Sequence, residues 1–199
     1  NHGLENLSPD RFQQLCQALL VKEYPGVTCF PVAQPDGGRD AMRFVGDEQP
    51  GKFVVYQVKY SRNSLSADDA RRWVLDAIEG EVEKAKGLIK RGATNYILIT
   101  NVSGTSHLDV GSIDRVQSAL TSRLGVPAQC WWRDDINRRL DGSWDLKLRY
   151  PEVLSGQDFL RLLVDSTKGV EQERRRRAIT AFMSDQYQED VEVKFKQVE

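Results

Sequence analysis

Along the chain, apolar residues recur in patterns that change period several times. Phe12, Leu15, Cys16, Leu19 and Leu20 lie three and four residues apart behind Ser8-Pro9. That spacing predicts a helix with one apolar stripe, an N-cap and a proline at the first helical position. Gln13 falls on the edge of the stripe and Gln14 points away. Val27–Ala33 reads as a strand, with Pro31 marking an edge or an irregularity. Asp36-Gly37-Gly38 is a turn, and Ala41–Val45 and Phe53–Tyr60 are two strands joined by a Gly/Asp/Pro loop. In the second strand Val54, Tyr56, Val58 and Tyr60 share one face, and Phe53, Val55, Gln57 and Lys59 the other.

A long helix is predicted from Ser66 to Gly92, its buried face formed by Ala70, Trp73, Val74, Ala77, Ile78, Val82, Ala85, Leu88 and Ile89. Asn95–Thr100 is a continuous apolar run of the central-strand kind. Ser112–Leu124 reads as a helix closed by Gly125, Ala128–Trp132 as a strand and Asp134–Leu140 as a short helix. The order predicts an α/β fold, a mixed central sheet with helices on both faces. Past Gly142 the pattern changes: a short apolar helix at Phe159–Val164, a charged helix at Glu171–Thr180, and an alternating stretch at Val191–Val198 that reads as a strand without a partner. Residues 1–145 are therefore expected to form one domain and 146–199 a helical connector to a further module.

Composition narrows the chemistry. The 199 residues are 40% hydrophobic and 29% charged, with a net charge of -1. That is a soluble globular balance, and any affinity for nucleic acid has to come from a local basic patch. No apolar run is long enough to span a bilayer, and Asn1-His2-Gly3 shows no signal-peptide pattern, so a cytoplasmic setting is expected. Cys16, Cys29 and Cys130 are odd in number and sit in apolar stretches, which points to reduced thiols. With only His2, in what reads as a ragged end, and His107, zinc sites and imidazole-based nucleophilic catalysis are disfavoured.

One stretch asks for an explanation. Lys59 closes an apolar strand beside Gln57, and Asp40 closes a glycine turn one hairpin earlier. A lysine beside a core needs an anionic partner. An aspartate and a lysine at adjacent strand ends, with the Val58 carbonyl, suit a divalent cation and a phosphodiester, a chemistry that needs no histidine. Gly46–Lys52 has P-loop spacing, but Phe53 stands where Ser or Thr would hold Mg²⁺ and the segment enters a strand, so a hairpin loop is expected. Trp131 and Trp132, on alternating faces, read as core and cover, and Arg174–Arg177 as a solvated helix face.

"DGGRD…QVK" resembles the active-site signature of Mrr-like restriction endonuclease domains of the PD-(D/E)xK nuclease superfamily. The resemblance runs from about Leu7 to Leu140. It implies Asp40 as metal ligand, Lys59 as catalytic lysine, Gln57 in place of the usual acid, and Mg²⁺, with Mn²⁺ as substitute, as the cofactor. It further implies duplex DNA as substrate, with Arg39, Lys52 and Arg62 placed to meet phosphates. The family's first-helix glutamate aligns with Gln13, an amide. The site is then expected to bind metal weakly, to recruit another acid such as Glu23 or Asp36, or to bind nucleic acid without cutting. "WWRDDINRRL" and "YQEDVEVKFKQVE" resemble segments of STAND-type NTPases of bacterial antiviral systems, which implies a covalently linked NTPase module and activity on homo-oligomerisation.

Overall fold

The computed structural model describes residues 1–46, 50–63, 67–108 and 111–196. Helix α1 (Pro9–Glu23) starts where Ser8 Oγ accepts the Arg11 N–H at 3.2 Å, and it buries Phe12, Leu15, Cys16, Leu19 and Leu20. Strands β1 (Thr28–Cys29), β2 (Ala41–Phe44) and β3 (Phe53–Lys59) form an antiparallel meander in which Ala41 faces Tyr56 and Phe44 faces Phe53. From β3 the chain crosses through α2 (Ala67–Glu79) and α3 (Val82–Lys90) to β4 (Ala93–Thr100), parallel to β3. A second crossover, α4 (Ser112–Leu124), leads to β5 (Ala128–Trp131), parallel to β4. The sheet order is β1-β2-β3-β4-β5, so the sheet is mixed.

Two cores clasp this sheet. Phe53 and Val55 of β3 pack with Val74, Ile78, Val82, Leu88, Val116 and Leu120 of the crossover helices. Val54 and Tyr56 pack with α1 and with α5 (Arg133–Asp141) on the other face. The alternation expected of this strand is what divides the layers. Trp131 joins one core and Trp132 the other. No helix among the described residues is long and apolar enough to cross a membrane.

The structure departs from expectation in five places. Only Thr28–Cys29 of Val27–Ala33 is strand. Pro31 has no N–H to offer a neighbour, and Ala33 takes a left-handed φ of 60°, so the ladder cannot continue. The helix expected over 66–92 is two helices, broken at Gly80-Glu81, where the Glu81 N–H turns back to the Ile78 carbonyl at 2.7 Å; its expected cap, Ser66, lies outside the described residues. Compact structure continues to Leu154, because Leu146 of α6 (Trp144–Arg149), Tyr150 and Val153 join the α1 core. The second unit, Ser155–Glu199, holds α7 (Gly156–Lys196), which runs as helix through both the apolar and the alternating stretches. A lone strand would leave its backbone groups unpaired, whereas a helix satisfies them internally; residues 197–199 lie outside the described residues. Finally, His2 is buried. Its Nδ1 lies 3.0 Å from the Val153 carbonyl, its Nε2 2.9 Å from Asp141, and its N–H donates to Asn137 at 3.3 Å.

Candidate active site

The site is built on the turn before β2. Asp36 Oδ1 accepts the Gly38 N–H at 2.9 Å, closing a tight turn through Gly37 (φ 70°) and Gly38 (φ 88°). Gly38 also packs directly on α3. A Cβ there would lie 2.8 Å from the Lys84 Cβ and 3.6 Å from Glu81 Oε2. Glycine is thus required twice, for its φ and for its missing side chain. Gly38→Ala is expected to destabilise the body by about 1–3 kcal/mol, measured as a shifted denaturation midpoint.

The turn delivers Asp40, which is 5% exposed, to the end of the β2–β3 pair, just before Ala41 faces Tyr56. Its Oδ2 accepts the Gln57 amide at 2.9 Å and the Val58 N–H at 2.6 Å. Its own N–H donates to the Tyr56 carbonyl at 2.9 Å. Its carbonyl accepts the Phe30 N–H at 2.9 Å and the Gln17 amide at 3.0 Å. Burial raises the carboxyl's pKa, the Val58 N–H opposes this, and the nearby Asp36 carboxylate adds to the rise against the pull of Lys59. The outcome is a pKa pushed up to about 6. Gln57, having given its NH₂ to Asp40, keeps a buried Oε1 with no hydrogen-bond partner among the described residues.

Lys59, two residues along on the same face as Gln57, reaches the break between α2 and α3. Its Nζ lies 3.0 Å from Glu81 Oε1, while Lys84 Nζ lies 3.0 Å from Glu81 Oε2. Burial alone would raise the Glu81 pKa, but the hydrogen bonds from Lys84 and Lys59 outweigh it and hold the carboxylate below its usual range. Beneath them Tyr96 is 2% exposed, its hydroxyl unpartnered among the described residues. Burial pushes its pKa up, and the charges of Glu81, Asp40 and Asp36 push it further.

The structure therefore brings together Asp40, Gln57, Val58 and Lys59, and adds Asp36, Gln17, Glu81 and Tyr96. Gln13 is half-buried one turn before Gln17 on the same helix face, and it is Gln17 that reaches the Asp40 main chain and the Phe30 carbonyl at 2.8 Å. The Val58 N–H donates to Asp40 Oδ2. Arg39 is committed locally, 4.5 Å over the Phe30 ring with its Nε donating to the Asp36 carbonyl. Arg62 is exposed just past β3, where with Asn101, Arg133 and Glu5 it lines a polar cavity of about 290 Å³. Lys52 stands before the opposite end of β3, roughly 20 Å along the strand from Lys59, and is no part of this cluster. Glu23 is held by Arg139 at 2.7 Å and is not free to serve as the missing acid.

Among the described residues no set of three His, Cys, Asp or Glu side chains converges to hold a metal ion. What the cluster offers is oxygen: the carboxylates of Asp40 and Asp36 and the orphaned Gln57 Oε1. A hard, sparsely ligated donor set of this kind fits Mg²⁺, which keeps several of its waters and takes only one or two protein carboxylates. Compared with known proteins, the chain matches no family model, no curated protein and no solved structure.

Proposed function

We propose that the body is a metal-dependent nuclease domain that hydrolyses phosphodiester bonds of duplex DNA. The observation that supports this reading best is the convergence of Asp40 and Lys59 from two paired strands, with Gln57 and the Val58 N–H fixing the carboxylate. Asp40, Gln57 and Asp36 are the residues that would hold Mg²⁺. The ion, when bound, offsets phosphate charge and acidifies a water. Asp40 contributes its carboxylate, whose Oδ2 already accepts two donors. Lys59 supplies an ammonium to balance the negative charge that builds on the phosphate as water adds and the bridging oxygen leaves. Arg62, exposed beyond the same strand end, is a cation available to the neighbouring DNA backbone. On this reading the domain is the effector of a defence protein governed by a linked NTPase, and it acts as a homo-oligomer.

A plasmid-nicking assay with Mg²⁺ or Mn²⁺ tests the proposal. Wild type is expected to cleave, and Lys59→Ala to lose about 1,000-fold in rate with the fold retained. Equal cleavage by the two proteins would remove the assignment. The ion pair between Lys59 and Glu81 favours a second reading, in which the lysine is held away from substrate and the domain binds DNA without cutting until assembled. Binding in a gel-shift experiment, without turnover until dimerisation is forced, would select it.

A further inference from the structure

The break between α2 and α3 is a costly way to cross from β3 to β4. An unbroken helix would keep its backbone bonds, and the apolar stripe through Ile78 and Val82 would allow one. Instead the chain turns at Gly80, and Glu81 takes the N-cap position of the new helix, accepting the Ala85 N–H on its carbonyl at 2.9 Å. The consequence is a carboxylate facing the end of β3. Its side chain is only 16% exposed and that of Lys59 24%, while Lys84 on the outer side is 56% exposed. The carboxylate is thus held between an inner and an outer cation. Gly38 closes against the same two residues, with the room for a side chain taken by Lys84 and Glu81. The turn that aims Asp40 and the break that aims Glu81 therefore share one contact.

The helix on the other face offers no acid here: Gln17 reaches the cluster by an amide, and Gln13 one turn earlier is an amide too. We propose that Glu81 is the positioning residue of the site, fixing the Lys59 ammonium at the end of β3 through their 3.0 Å ion pair and supplying from the α2–α3 break the acidic partner that α1 lacks. This rests on the nuclease reading. Glu81 touches neither substrate nor metal in this role; it acts through Lys59. Because its backbone starts α3 whatever the side chain, Glu81→Gln removes the charge and leaves the helix start in place.

The test is plasmid cleavage kinetics with Mg²⁺ for wild type, Lys59→Ala, Glu81→Gln, Glu81→Asp and the Lys59→Ala/Glu81→Gln double variant, with thermal unfolding of each. Glu81→Gln is expected to lower kcat about 100-fold with KM nearly unchanged, since a misplaced group weakens the transition state more than the bound ground state. Glu81→Asp, which keeps the charge on a shorter stem, recovers part of the rate and also serves should Glu81→Gln fail to fold. In the Lys59→Ala background Glu81→Gln adds nothing, because the two act as one unit. Cleavage that Lys59→Ala abolishes and Glu81→Gln leaves intact overturns the positioning role alone. Identical rates for wild type and Lys59→Ala overturn the nuclease reading, and this inference with it.

Discussion

Replacing Asp40 by asparagine is expected to make the body more stable at neutral pH and to cut cleavage by about three orders of magnitude. The two effects have one cause. In the unfolded chain the Asp40 carboxyl ionises near its ordinary value, whereas in the fold it does so at about 6, because it is buried beside Asp36. Between those two values the folded state binds more protons than the unfolded state, so stability falls as pH rises through that window and stays at the lower level above it. Below it both states are protonated and the penalty is absent. The gap corresponds to about 3 kcal/mol at most at neutral pH. Asparagine keeps an oxygen for the Gln57 amide and the Val58 N–H but carries no charge, so its stability should lack this pH slope. Denaturant titrations of both proteins at pH 4 and pH 7.5 measure the difference. A wild type as stable at pH 7.5 as at pH 4 relative to the variant would contradict it. Ionised Asp40 is also the form a cation needs, so Mg²⁺ should raise the wild-type unfolding midpoint above pH 6 and lose that effect below it.

The second large effect lies away from the site. Trp132 is 2% exposed, and its ring is so close to Gly104 that a Cβ there would lie 2.8 Å from it. Its backbone N–H donates to Asp135 at 3.0 Å, starting α5. Trp132→Ala empties the junction of β5, α4 and the loop after β4, and is expected to lose about 3–5 kcal/mol, read as a lower denaturation midpoint. Trp132→Phe should lose much less. The indole Nε1 is buried with no partner among the described residues, and removing an unpaired donor returns part of the lost packing. Equal losses from the two substitutions would contradict this expectation.

Much of this was legible before the fold was. The Ser8-Pro9 start and stripe of α1, the two-faced reading of β3 and the Asp-Gly-Gly turn all rest on local rules that the tertiary structure obeys. The Asp40–Gln57–Lys59 constellation follows from those alone, since one hairpin register brings Ala41 opposite Tyr56. What the pattern hid is equally specific. Gln13 and Gln17 occupy one polar edge of α1, and only the seating of the helix on β1 and β2 decides that Gln17 reaches Asp40. Glu81 was invisible because the spacing from Ile78 to Val82 is as good in one continuous helix as in two. The alternation of Val191, Val193 and Phe195 has strand period, yet the segment is helix, which satisfies its backbone groups without a partner.

The burial of His2 has a mechanical consequence. Its ring and N–H lie against Val153, Asp141 and Asn137, so the first and last segments of the body meet in one spot, although they are far apart in sequence. Chain attached at either end would leave from the same place. A pull between those ends would load this small latch first and reach the β2–β3 hairpin only after the latch had parted. Tension on the flanking chain would therefore open the body at its seam before disturbing the carboxylate and ammonium that face each other across β3 and α3.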